Sequence, residues 1–246
     1  MHQEAIRKLS RTYQEATRRQ PSNNQEAPDS NMRKKVIFIG NSIVAGYPWG
    51  KSKGFTGVLR RILKDGDGDP ADAPAFARST GFDIINKGVN GDTTAGIAAR
   101  FDADVLSHNP DVVFFLTGAN DFIFREAGPE EAFANLEQMA EQADAIGAVS
   151  VYITPTPVDA DKAGYMWLAG CGISYDAVNR DLANFSEMLK GSGRPFVDIN
   201  RLYQEYVVEL GDPELAYLDG VHPTPDGHKF IARQVLDVIE KEELYK

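Results

Sequence analysis

Lys35-Val36-Ile37-Phe38-Ile39-Gly40-Asn41-Ser42 decides the fold of this chain. Four consecutive large apolar residues, three of them β-branched, suit a strand buried on both faces. Glycine and asparagine punctuate its end, and Ser42 stands where a helix begins. The alternation continues downstream. Helices are predicted over about 55–64, 93–107, 129–146 and 175–190, and strands over 82–86, 111–117, 149–154 and 195–198. Thr224 can cap a last helix with Pro225 at its first position, running to about Lys241. Five strands interleaved with helices predict an α/β fold with a parallel, doubly wound sheet.

Upstream of that strand the chain changes character. Residues 1–20 are polar, with Ile6, Leu9, Tyr13 and Ala16 roughly on one helical face, and 21–31 are rich in Pro, Ser, Asn and Gln. We therefore divide the chain into an N-terminal polar helix and linker tail over 1–34 and one domain of ordinary size over 35–246. No internal repeat divides the domain further.

The formal net charge is −10. Residues 1–35 carry eight Lys/Arg against four Asp/Glu, which leaves −14 for the rest. That balance argues against nucleic acid or an anionic membrane as a partner of the body. Cys171 is the only cysteine, so no intrachain disulfide and no cysteine-rich zinc site are expected, and a reducing compartment is allowed. No N-terminal apolar run reads as a signal peptide and no stretch is long enough for stable membrane insertion. A cytoplasmic protein is expected.

In parallel sheets of this kind, ligands bind beyond the carboxyl ends of the strands. Ser42 follows the first strand, Gly91 the second and Asn120 the third, so one rim gathers all three. Asp219-Gly220-Val221-His222 adds an acid–histidine pair near the end of the chain. A hydroxyl, a glycine amide, an asparagine amide and that pair are the parts of a serine hydrolase with a three-donor oxyanion hole.

The order and local contexts of Gly40-Asn41-Ser42, Asn86–Thr93, Gly118-Ala119-Asn120-Asp121 and Asp219–His222 resemble the SGNH hydrolases, also called the GDSL esterase/lipase family. The resemblance runs from about Val36 to about Val238. It implies a flavodoxin-like three-layer α/β/α fold with a central five-stranded parallel sheet. It also implies an esterase that acts through an acyl-serine, with no metal and no organic cofactor. Ser42, Asp219 and His222 would form the triad. Ser42, Gly91 and Asn120 would form the oxyanion hole, Gly91 being preferred to Gly88 because the family's glycine resembles the one before Asp92-Thr93. The family pattern has Asp where this chain has Asn41, which keeps size and hydrogen bonding but loses charge. Val44 stands where the α/β-hydrolase elbow needs its last glycine, so that motif is absent.

Among the other histidines, His228 is the alternative base, while His2 and His108 lie in the tail and at a helix end. Asp121 is expected to brace its loop. Asp65-Gly66-Asp67-Gly68-Asp69 resembles a calcium loop but has Pro70 and Phe76 where Gly and Glu are needed, and reads as a solvated acidic loop. Tyr165, Met166, Trp167 and Leu168, in a predicted loop over 155–173, form either a wall of the site or part of the core packing. Tyr47-Pro48-Trp49 can line the same pocket. The expected substrate is a small ester with a short acyl or acetyl group. The alternatives are a lysophospholipase or thioesterase on longer acyl chains, or a non-catalytic ligand-binding module on a flavodoxin-like sheet. The chain lacks the Gly-rich phosphate signatures such a module would use.

Overall fold

The structure, a computed structural model, describes residues 33–66, 73–166 and 172–246. The tail helix and linker, most of the acidic loop, Trp167, Leu168 and Cys171 lie outside the described residues.

Strand β1 (Arg33–Gly40) is followed by a four-residue helix α1 (Ser42–Ala45), α2 (Phe55–Asp65), α3 (Ala75–Ser79) and β2 (Gly81–Gly88). Then come α4 (Thr94–Asp104), β3 (Val112–Leu116), α5 (Ala119–Phe124), α6 (Pro129–Ala145) and β4 (Val149–Ile153). Helices α7 (Ala160–Met166) and α8 (Tyr175–Gly191), strand β5 (Phe196–Val197), α9 (Ile199–Leu210) and α10 (Pro225–Lys241) complete the order. The five strands are all parallel, in the order β2-β1-β3-β4-β5.

Each central strand feeds two cores because successive side chains point to opposite faces. Val36, Phe38, Val112 and Phe114 pack with α2, α9 and α10. Ile37, Ile39, Val113 and Phe115 pack with α4, α6 and α8. These strand residues are at most 2% exposed, and each such side chain contributes roughly 1.5–3 kcal/mol. This is the expected three-layer α/β/α arrangement.

The boundaries differ from the sequence reading in informative places. The predicted helix over 93–107 stops at Asp104 and tightens into a 3₁₀ turn over Leu106–His108. The stretch over 155–173, expected as a loop, contains α7. Helix α9 was not anticipated, although Asp198 caps its first turn and Gly211 closes it in the left-handed conformation.

The sheet order reverses between β1 and β3: the chain leaves β1 toward β2 on one side and returns to β3 on the other. Such a switch point opens a crevice at the carboxyl ends of the two strands. Ser42 lies just beyond β1 and Asn120 just beyond β3.

Candidate active site

At the end of β1 the backbone must turn closely past β3. Asn41 N–H donates to Leu116 O at 3.4 Å. A Cβ on Gly40 would lie 2.0 Å from that same carbonyl oxygen, so only glycine fits. Asn41 then caps α1, its side-chain oxygen accepting from Ile43 N–H at 3.0 Å. The family's Asp would cap in the same way, so the exchange keeps the local fold. Ser42 is the first helical residue, and its N–H therefore has no acceptor inside the helix.

Near the far end of the chain, Asp219 shapes its own turn. Its Oδ1 accepts from the backbone N–H of Val221 and of His222, at 3.0 and 2.8 Å. Its Oδ2 lies 2.8 Å from His222 Nδ1. His222 Nε2 lies 2.9 Å from Ser42 Oγ. The Asp219–His222–Ser42 relay is therefore continuous across 180 residues of sequence, and each member is between 5% and 8% exposed. Burial works to raise the Asp219 pKa. The hydrogen bonds from the His222 ring and backbone outweigh burial and hold it below the ordinary carboxylate value. The carboxylate is thus charged and aimed at Nδ1, which leaves Nε2 to accept from the serine.

Gly91 adopts a φ of 78° and stands in the open, with no heavy atom within 4 Å of where a Cβ would be. Among the described residues its N–H donates to no backbone carbonyl. Asn120 Nδ2 donates one hydrogen to Asp92 O at 2.8 Å. An amide nitrogen carries two, so one remains for a ligand. His228, the alternative base, is fully buried and not part of this relay. Its Nδ1 accepts from Phe55 N–H at 3.3 Å, and Nε2 has no hydrogen-bond partner of good geometry. Burial, reinforced by nearby His222 and only partly offset by the Tyr47 carbonyl, pushes its pKa down to about 4. It is a weak base and neutral at pH 7.

The sequence model of the GDSL-like Lipase/Acylhydrolase family matches residues 38–230. The chain belongs to this family. Carboxylic ester hydrolysis is the activity of the GDSL-like hydrolases, and this chain is a carboxylic ester hydrolase. It is 25% identical over 220 residues to an acetylxylan esterase of Geobacillus stearothermophilus, covering 82% of this chain and 92% of the relative. It is 26% identical over 214 residues to an arylesterase of Vibrio mimicus, covering 86% and 91%. The fold matches the lipase/acylhydrolase from Enterococcus faecalis with a TM-score of 0.67, at 22% identity over 85% of this chain and 96% of that one.

Several supports of this GDSL-like site were not evident from the sequence. Arg100, on α4, donates to the Asp92 carboxylate at 2.7 Å, to Asp104 at 2.6 Å and to Gly40 O at 3.3 Å. It joins the loop that carries Gly91 to the turn that carries Ser42. Its i,i+4 spacing to Asp104 was the available signal. Asp121 braces its loop as expected: both its carboxylate oxygens accept from Thr94 N–H at 3.1 Å, and Oδ1 accepts from Thr94 Oγ1 at 2.5 Å. Burial raises its pKa, and the Thr94 hydrogen bonds offset that only in part. Helix α7 supports the histidine loop. Asp159 N–H, just before it, donates to Gly220 O at 2.8 Å, and Lys162 Nζ donates to Tyr217 O at 3.0 Å. Tyr47, in the segment suspected of lining the site, packs its ring against the His222 imidazole at 4.6 Å between centroids. Among the described residues, no group of three or more His, Cys, Asp or Glu is arranged to hold a metal, and no helix is long and apolar enough to cross a membrane.

Proposed function

We propose that Ser42 is the nucleophile of this ester hydrolase and that the reaction runs through an acyl-serine. His222 Nε2 takes the Ser42 proton as Oγ attacks the ester carbonyl. The N–H groups of Ser42 and Gly91 and the free Nδ2 hydrogen of Asn120 stabilise the oxyanion. The tetrahedral intermediate collapses, the bond to the alkoxy oxygen breaks, and His222 returns the proton to the departing alcohol. Water then gives a proton to His222 and attacks the acyl carbon; the bond from that carbon to Ser42 Oγ breaks, His222 returns the proton to Oγ, and the acid is released. Asp219 keeps the imidazole in the tautomer this cycle needs.

The observation that supports these roles is the unbroken pair of contacts, 2.9 Å from Ser42 Oγ to His222 Nε2 and 2.8 Å from His222 Nδ1 to Asp219. Short acyl groups, acetyl above all, are our preferred substrates. The acetylxylan esterase and the arylesterase among the relatives point the same way. A chain with one cysteine needs no oxidising compartment, and we place the enzyme in the cytoplasm.

The test is hydrolysis of p-nitrophenyl esters from acetate to decanoate by the wild type and by Ser42→Ala. Acetate is expected to be the best substrate, and Ser42→Ala to lose at least ~10³-fold in kcat. Equal turnover by both proteins would reject Ser42, and a maximum at long acyl chains would favour the lysophospholipase or thioesterase reading.

A further inference from the structure

The reaction itself fixes where the alcohol half of the ester must lie. His222 protonates the leaving oxygen, so that oxygen comes within hydrogen-bond reach of Nε2. The body of the alcohol then continues past the imidazole. Among the described residues, the Tyr47 ring packs against that imidazole, 4.6 Å away between centroids and inclined by 53°. Tyr47 is 37% exposed, although the histidine it touches is 7% exposed. Part of its surface thus faces solvent beside a buried catalytic group.

The backbone that carries Tyr47 is also held in place by its own hydrogen bonds. Its N–H donates to Ser42 O at 3.0 Å. Gly50 and Gly54 N–H groups close the following turns onto Gly46 O and Gly50 O, at 2.7 and 2.9 Å. Trp49 Nε1 donates to Pro223 O at 3.1 Å, which ties this segment to the residue after His222. Lys51 Nζ donates to Asn86 O at 2.9 Å on the other side. A partly exposed ring on a backbone held in this way loses less freedom than one on a loose loop when a second ring packs on it.

We propose that Tyr47 is the binding platform for the leaving alcohol, and that this site selects esters of alcohols with a flat ring face, aryl or pyranosyl, over esters of open-chain alcohols. The proposal rests on the acyl-serine reading. The ring face meets either an aromatic leaving group or the C–H face of a cyclic alcohol, and such packing favours the ring alcohol by about three- to tenfold.

The test compares kcat/KM for phenyl, cyclohexyl and ethyl acetate, together with the rate of acetyl-enzyme hydrolysis from the burst with p-nitrophenyl acetate. All of these pass through the same acetyl-Ser42, so deacylation no longer carries the alcohol. Tyr47→Ala and Tyr47→Leu are expected to lower the preference for phenyl and cyclohexyl over ethyl acetate about three- to tenfold, with deacylation unchanged. Tyr47→Phe is expected to keep it. A loss confined to phenyl acetate narrows the alcohol to aryl and still supports the platform. An equal loss for all three acetates with slower deacylation would mean that Tyr47 only positions His222, and would overturn the proposal. An unchanged preference in active variants would overturn it too. Absence of turnover by the wild type would instead remove the acyl-serine reading, and this proposal with it.

Discussion

Two imidazoles stand near one another behind the Ser42 turn, and their surroundings give them different work. His222 has a carboxylate at Nδ1 and a hydroxyl at Nε2. His228 has a backbone donor at Nδ1 and lies fully buried, and burial, reinforced by His222, pushes its pKa down to about 4. The unfolded chain binds that proton near pH 6.5. Acid therefore favours the unfolded state as pH falls from about 6.5 toward 4, where the folded protein finally takes up the proton. The loss is about 2 kcal/mol between pH 7 and pH 5. Urea unfolding of the wild type and of His228→Gln at both pH values checks this. The variant is expected to be less stable at pH 7 but to lose the slope; an equal slope in both would assign it elsewhere. Asp219 acts in a lower window. Its depressed pKa contributes stability that is present above the ordinary carboxylate range and is lost as pH falls through the folded value. Ser42, Asp219 and His222 were all legible in the chain, because each stands in a short polar segment at a predicted element end. The contrast between the two histidines was not legible. Spacing brings Asp219 to His222, but only the three-dimensional packing, which buries His228 completely and sets it near His222, shows why the second one stays neutral.

Helix α4 does more than cover the sheet. Thr93 caps it, accepting from Gly96 N–H at 3.3 Å, and Asp121 receives the N–H of Thr94. Arg100, two turns further on, reaches back to Asp92. The Asp92 carbonyl is the acceptor that orients Asn120. Arg100→Gln is expected to lower kcat about 10- to 100-fold with little change in KM, somewhat less than deleting a donor outright. Combined with Asn120→Ala it should cost much less than the two single losses together, since both act on one donor. Steady-state kinetics of the two single variants and the double variant measure this, and full additivity would separate Arg100 from Asn120. The other elements show where sequence reading works. Strands β1 and β3 were plain, since four or five apolar residues in a row have few other uses. Helix α9 was overlooked although Ile199, Leu202, Tyr203, Tyr206, Val207 and Leu210 follow helical spacing. It starts two residues after a two-residue strand, so the change from strand to helix period has no loop to mark it. Helix α7 carries a weaker signal. It contains Gly164 and buries only Ala163, so its contacts with the histidine loop supply what its own sequence does not.

The molecule as a whole is acidic, with a sequence pI near 4.9. A net negative body repels anionic esters and does not affect neutral ones. Raising ionic strength from about 10 to 150 mM shortens the screening length from about 30 to 8 Å. The kcat/KM for 4-acetoxybenzoate is therefore expected to rise a few-fold over that range while phenyl acetate stays level. A flat response of both would show that the field does not reach the site. The order of strands around the switch point was legible only through its consequence, the convergence of Ser42 and Asn120 on one rim. The crossover itself depends on which neighbours β1 takes, and no local pattern encodes that.

The Ser42–His222 contact joins residues 180 apart, and α10, which follows the histidine loop directly, packs against α2. A ribosome makes the proposed nucleophile among the first segments of the domain and its proposed base among the last. Until the histidine loop arrives, the proposed nucleophile is an ordinary alcohol. Recovered esterase activity during refolding is therefore expected to serve as a clock for the meeting of the two ends of the domain.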